Sequence, residues 1–332
     1  MVKAKKSLNI LFTCVGRRVS LVNSFKAAAK KLKTRICICG TDMNQLSPAM
    51  QICDKKFVVK STSHPDYIKE TLAIVKKNKI DLIVPTVDLD LKKLASNRDK
   101  FSKLGCLVLV SSVEVVDICQ DKRKTYKYLS SNNVDTPVTL SASAAKKRKK
   151  IDYPCFLKPW DGYASRGNAV VANRRELLFY ANKVPNCIVQ QFIKGTEYTC
   201  DVYVDFDMKV KSVVPRIRLE VRAGEVSKSR IDKNIEIMKK AAELVEHLNA
   251  GPGVITLQLI VTDDRQHKFI EINPRFGGGA PLSIKAGADF PKWILQHLLS
   301  KKSNIRFDNF KDKLTMLRYD SEVWLQGDGT IN

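Results

Sequence analysis

A chain of 332 residues, 44% of them hydrophobic, is long enough for two or three units with cores of their own, and no apolar run approaches the length that crosses a bilayer. The net charge of +24 raises nucleic-acid binding, yet the lysines are spread over the whole chain and no aromatic residues interleave with them as a stacking surface requires. Nine cysteines without metal-ligand spacing and four histidines without a zinc-type pair exclude a zinc framework; with no signal-peptide h-region at the start, they point to reduced thiols in a cytoplasmic protein.

The first third alternates strand and helix signals. Residues 8–13 read as a strand, 19–32 as an amphipathic helix, 35–39 as a second strand, and 65–78 as a helix with Pro65 in its first turn. Strands at 80–85 and 106–110 flank a helical stretch over 88–98. Such alternation implies a parallel sheet covered by helices. Asp42 follows the second strand, as in a dinucleotide fold. The first turn, however, is Cys14-Val15-Gly16-Arg17-Arg18, with one glycine instead of three, which argues against a dinucleotide there. Gly16, Arg17 and Arg18 at a helix start suit either an anionic substrate group or a tight turn with exposed arginines.

A helix is expected over 119–129. The run Lys146 to Lys150 reads as a solvated helix end or loop, with a localisation or phosphate-contacting patch as the alternative. Then comes Phe156-Leu157-Lys158-Pro159, a lysine inside a strand, costly to bury unless it meets an anion. Gly162, Ser165 and Gly167 follow in a turn whose backbone N–H groups suit phosphate, or an ordinary hairpin. No Gly-x-x-x-x-Gly-Lys-Ser/Thr motif occurs, so this is not a Walker site. Further on, a strand through Gln190 and Gln191 runs into Gly195 and Glu197, offering backbone for a purine edge and a carboxylate for ribose. Arg216, Arg218, Glu220 and Arg222 alternate with aliphatic residues; they form an anion-binding face or an exposed edge strand.

The most informative segment is Phe269-Ile270-Glu271-Ile272-Asn273-Pro274-Arg275, followed by Phe276 and three glycines. On a strand Glu271 and Asn273 share a face, with Ile270 and Ile272 packed behind. The apolar run 254–261 precedes it, and residues 262–267 read as a hairpin turn. If Thr262 faces His267, Gln258 falls opposite Glu271 and Thr256 opposite Asn273, so the oxygen ligands gather on one face. Oxygen ligands beside an arginine suit Mg²⁺ held against phosphate. A solvent-exposed polar hairpin face is the alternative, but such a face more often carries Lys, Thr or Ser.

In order, these pieces resemble the ATP-grasp superfamily, and within it one half of a carbamoyl-phosphate synthase large chain or the stand-alone carboxylate–amine ligases related to it. The resemblance implies an α/β Rossmann-like N-terminal domain (1–118) followed by a two-part α+β ATP-grasp fold: a small subdomain over 119–186, a central one over 187–303, and a tail over 304–332. It implies that ATP lies between the two parts, with Lys122 and Lys158 on its phosphates and the loop of Gly162, Ser165 and Gly167 closing over them. Gln190, Gln191, Phe192 and Ile193 would contact adenine, and Glu197 the ribose. Gln258, Glu271 and Asn273 would carry Mg²⁺, with Mn²⁺ as a substitute, and Arg275 would steady the transferred phosphoryl group. The family loop commonly has glycine where Ala164 stands, and often glutamate where Gln191 stands.

The resulting expectation is an ADP-forming ligase that makes an acyl phosphate on a carboxylate and joins it to an amine or ammonia. Carbamate or bicarbonate phosphorylation, or an idle ATP-binding subunit, are the alternatives. The partners implied are small molecules. The acceptor pocket would be lined by Arg275 and the 277–283 loop, with Arg17, Arg18 and Arg216. The stretch 314–319 adds a sheet edge or a dimer contact, which leaves a homodimer open.

Overall fold

The computed structural model describes residues 7–162 and 167–326; Ala164 and Ser165, both named above, lie outside the described residues. The first unit follows the alternating pattern: β1 (Ser7–Thr13), α1 (Val19–Lys31), β2 (Arg35–Asp42), α2 (Pro48–Gln51), β3 (Lys55–Val58), α3 (Tyr67–Asn78), β4 (Leu82–Pro85), α4 (Leu91–Ser96), α5 (Arg98–Ser102) and β5 (Leu107–Val108). Its strands pair in parallel in the order β3-β2-β1-β4-β5. A parallel sheet is buried on both faces, and the alternate side chains of β1 divide accordingly. Ile10 and Phe12 join α1 in one core, whereas Leu11 packs with α3, α4 and α5 in another. The helix expected over 88–98 begins only at Leu91 and is broken at Asn97, and Pro65 precedes α3's cap, Asp66.

The helix expected over 119–129 is two helices, α6 (Val113–Gln120) and α7 (Lys122–Ser131). Asp121 between them is extended (φ −108°, ψ 107°), and its carboxylate accepts the Arg123 N–H at 2.9 Å. An aspartate that caps cannot also continue the preceding helix. A four-stranded antiparallel sheet follows, from β6 (Thr139–Ser141), α8 (Ala142–Lys147), β7 (Cys155–Pro159), β8 (Ala169–Val171), α9 (Arg174–Lys183) and β9 (Cys187–Gln191), in the order β6-β9-β7-β8. Because β9 pairs with both β6 and β7, this sheet runs on to Gln191, past the expected division at 186.

The third sheet has six strands in the order β14-β13-β10-β11-β12-β15. They are β10 (Thr196–Val204), β11 (Val210–Arg222), β12 (Glu225–Ile231), β13 (Gly253–Val261), β14 (His267–Asn273) and β15 (Thr315–Leu317), with α10 (Ile235–His247), α11 (Ala280–Ala286) and α12 (Phe290–Leu298). The tail contributes the edge strand β15 on β12. One continuous core joins this sheet to the first unit: Phe12 packs on Phe25 of α1, and Phe25 on Phe276, with centroids 5.1 and 6.1 Å apart. That seam brings the start of α1 against the turn at 277–279. None of the nine cysteines is in a disulfide, and no described helix is long and apolar enough to cross a membrane.

Candidate active site

The hairpin of β13 and β14 delivers the expected pairing by an unexpected route. Gln258 lies opposite Glu271 and Thr256 opposite Asn273, but His267 faces Val261, not Thr262. The slip is absorbed by a bulge at Ile270. Phe269 and Ile272, three residues apart, both enter the core at 2% and 1% exposure. Only an extra residue between them allows that on a strand of period two. Ile270 is therefore the half-buried bulge residue, and Phe269 replaces it behind the polar face.

Two lysines from other elements reach this face. Lys122, in the first turn of α7, places Nζ 3.6 Å from Glu271 Oε1 and donates to the Gly162 carbonyl at 2.7 Å. Its helix is docked by Arg123, whose guanidinium stands 3.7 Å over the Trp160 ring, and by the Lys122 N–H on the Trp160 carbonyl. Lys158, on β7, is 7% exposed. Burial pulls its ammonium down to about 8; Glu271 and Glu197 oppose that shift, while Lys122 adds to it. No carboxylate among the described residues comes within ion-pair distance of Lys158. A sealed lysine without a counter-charge suits an anionic ligand. Gly162 and Gly167 both pack on Pro159, where a Cβ on either would stand 3.0 Å from the ring, so the two ends of the loop are drawn together against the residue that follows Lys158.

Gln258, Glu271 and Asn273 thus supply oxygen donors on one face beside two lysines, a donor set that fits a hard cation bridging to phosphate. Glu197, on β10, is half-buried; burial and the nearby Glu271 raise its carboxyl above the ordinary range, against the pull of Arg218, whose Nε lies 3.0 Å away. Gln190 is buried in the small sheet, its amide donating to Thr139 Oγ1 at 2.9 Å. Gln191 is exposed and closes β9, and Phe192 and Ile193 follow where the chain leaves the ladder, half-buried between the two antiparallel sheets.

Arg275 is not a free cation. Its Nε and Nη2 donate to Asp88 Oδ2 at 3.0 and 2.5 Å, Nη1 to the Phe276 carbonyl at 3.0 Å, and Nη2 to Asn273 Oδ1 at 3.4 Å. Burial alone would lower its pKa, but Asp88 raises it. Asp88 lies beyond the carboxyl end of β4, 187 residues away in sequence. Sequence reasoning missed it, placing it in a helix, and no local signal pointed to it. Glu225 and Arg318 were also missed. Glu225 Oε1 lies 3.3 Å from Arg18 Nη1, and Oε2 3.0 Å from Arg318 Nη1.

The second arginine set divides. Arg216 is 1% exposed and bidentate on Asp201, at 2.8 and 3.0 Å, so it does not line a pocket. Arg218 turns to Glu197, and Glu220 pairs with Lys228 at 2.6 Å. The register shifts between Arg218 and Glu220, so Arg216, Arg218, Glu220 and Arg222 do not form one anion-binding face. Asp42 accepts the Gly16 N–H at 2.8 Å and braces the turn before α1.

These elements define a nucleotide-binding fold, and the comparisons agree. Residues 119–279 match the family model described as ATP-grasp domain, and residues 10–109 the one described as PylC-like, N-terminal domain. Residues 119–279 thus form an ATP-grasp domain, preceded by a domain of the PylC-like N-terminal type. The chain is 24% identical over 257 residues to the carbamoyl phosphate synthase large chain of Clostridium acetobutylicum, covering 71% of this chain and 24% of that one. It is also 24% identical over 265 residues to the formate-dependent phosphoribosylglycinamide formyltransferase of Ignicoccus hospitalis, covering 72% and 63%. The chain thus spans less than two thirds of the length of either relative. Among solved structures, the L-amino acid ligase from Bacillus licheniformis superposes with a TM-score of 0.72 at 19% identity, covering 94% of this chain and 79% of that one. The ADP complex of N5-carboxyaminoimidazole synthetase from Staphylococcus aureus gives 0.71 at 15%, covering 90% and 79%. At such identities the superpositions establish the fold.

Proposed function

We propose that this protein is an ATP- and Mg²⁺-dependent ligase. It transfers the γ-phosphoryl group of ATP to a substrate carboxylate, releasing ADP, and an amine or ammonia then attacks the acyl carbon and expels phosphate. The observation that carries this reading is the convergence of Lys122 and the sealed Lys158 on the Glu271 face of the β13–β14 hairpin. Phosphoryl transfer needs positioning and charge neutralisation more than covalent help from the protein. Mg²⁺ on Gln258, Glu271 and Asn273 would offset phosphate charge. Lys122 and Lys158 would hold the phosphates under the loop of Gly162, Ser165 and Gly167. Gln190, Gln191, Phe192 and Ile193 would border adenine, and Glu197 would meet ribose. Asp88 would hold the Arg275 guanidinium in place through Nε and Nη2, leaving an N–H of Nη1 for the transferred group, which draws Asp88 into the site as its positioning residue.

Similarity to a carbamoyl phosphate synthase large chain and a D-alanine–D-alanine ligase, and a fold shared with a biotin carboxylase domain solved with MgADP, support this reading. Nine cysteines outside any disulfide, seven of them buried, fit a reducing, cytoplasmic setting. The test is Mg²⁺-dependent ATP turnover with pooled carboxylic acids, amino acids and amines, scoring ADP against AMP, with Glu271→Ala as control. ADP and phosphate that appear only with particular pools, and vanish in the variant, are expected. AMP and pyrophosphate would mean adenylation and sink the mechanism. ADP release driven by bicarbonate without an organic acid would select the carbamate reading instead.

A further inference from the structure

The turn at 277–279 has three glycines because other groups occupy the space their side chains would take. A Cβ on Gly277 would stand 2.9 Å from Thr256, and one on Gly278 would stand 2.8 Å from Arg18 Nη1 and 3.0 Å from Glu225 Oε2; one on Gly279 would overlap Arg216 Nη1. Guanidinium groups from three distant parts of the chain therefore press on one turn: Arg18 from the start of α1, Arg216 from β11, and Arg318 from the segment after β15. Arg318 also donates through Nη2 to the Gly278 carbonyl at 2.5 Å.

Asp201 balances Arg216, but the other two cations have one acid between them. Arg18 and Arg318 share the single carboxylate of Glu225, one on each oxygen. Asp88, the other acid acting on Arg18, is already spent on Arg275. Burial lowers the Arg18 pKa, and Arg275 and Arg318 lower it further against the pull of Glu225. Arg18 also precedes α1, whose first turn contains no acid and whose cap makes no side-chain hydrogen bond, so the positive end of that helix adds to the excess. Arg216 Nη1, in a side chain 1% exposed, has no hydrogen-bond partner among the described residues. Arg17 beside them is exposed and adds a further cation.

We infer that Arg18 and Arg318, converging on the 277–279 turn, anchor a second anionic group, a carboxylate or a phosphate, on the substrate whose reacting carboxylate is activated beside Arg275. This rests on the ligase reading of the cleft and deepens it. The acceptor class is then a dianionic acid, held by one anion while the other is phosphorylated. Arg318 reaches Gly278 from the segment just after the edge strand β15, which gives the tail a part in this site. An anion here would supply the second negative charge that Arg18 and Arg318, sharing Glu225, lack. A charge-assisted, forked contact of this kind is worth about tenfold or more in affinity.

The test is calorimetric binding to the full chain with Mg²⁺ and ADP present, in three sets of probes. L-aspartate, L-glutamate and succinate carry a second carboxylate, O-phospho-L-serine a phosphate, and L-alanine and propionate neither. At least one dianionic probe is expected to bind tenfold or more tightly than its monoanionic counterpart, and whether that is a dicarboxylate or the phosphoserine separates the two sources. Arg18→Ala and Arg318→Ala should each remove most of that preference, Arg18→Lys should keep part of it, and retained ADP binding reports an intact fold. Equal binding of the two classes, a preference untouched in both alanine variants, or no binding of any probe overturns the inference. Failure of the ligase reading shows separately, as absent ADP binding by the wild type; the same titrations without ADP then still decide the anion site.

Discussion

Among the described residues one arginine and one lysine are sealed into this molecule, and their surroundings differ in one respect. Arg216, in the long sheet, is held by both oxygens of Asp201, whose carboxylate is itself fixed by the Ser283 hydroxyl at 2.6 Å. Lys158, in the small sheet, is buried almost as fully and has no carboxylate of its own; Glu271 and Glu197 act on it only at a distance. Arg216 has its counter-charge built in and serves the fold. Lys158 is stable in place only at a cost, which a bound polyphosphate would remove. The contrast separates structural from functional buried cations by the partner, not by the burial.

The sharpest way to break that contrast is to remove the partner that exists. Asp201→Ala leaves Arg216 buried and unpaired, and about 3–5 kcal/mol of stability should be lost, read by urea or thermal denaturation. A loss below about 1 kcal/mol would mean that Arg216 is compensated elsewhere. The counterpart is Lys158→Met. Stability should hold or rise, because no ion pair is broken, whereas kcat/KM for ATP should fall by about 100-fold, comparable to losing one fixed charge contact in a site. Unfolding of that variant would put Lys158 in the structural class.

A smaller effect is expected at the turn above Arg216. Gly279→Ala sets a methyl group against Arg216 Nη1 and should cost about 1–3 kcal/mol, seen as a lower Tm. The smallest is a pH dependence. Lys158 loses its proton as pH rises through about 8, while the unfolded chain holds the proton to the ordinary lysine value of 10.5. Between those values the unfolded state binds more protons, so this group's contribution to stability rises with pH. ADP affinity should move the other way, falling as pH climbs above 8 and the cation is lost. Titrations from pH 7 to 9.5 check this, with Lys158→Met expected to be flat over the same range.

Much of the site could be read locally because its chemistry is written in short segments. Glu271, Asn273 and Arg275 lie on one strand and its exit, and their alternation is a property of any extended chain. Gln258 came within reach because its partner Glu271 lies on the next strand of the same hairpin, and the pairing held even though the turn register did not. Lys158 stood out because a lysine between Phe156, Leu157 and Pro159 conflicts with an apolar strand unless an anion resolves the conflict.

The parallel βα unit, the two lysines and the oxygen-bearing hairpin were legible residue by residue, since periodicity and residue chemistry act over short stretches. The places of the arginines were not, because they depend on long-range packing. Arg275 meets Asp88 across 187 residues, Arg216 sinks onto Asp201, and Arg18 and Arg318 share Glu225. The bulge at Ile270, too, follows from which side chains the core accepts. A charge's partner is set by which surfaces pack together, and no local pattern carries that information.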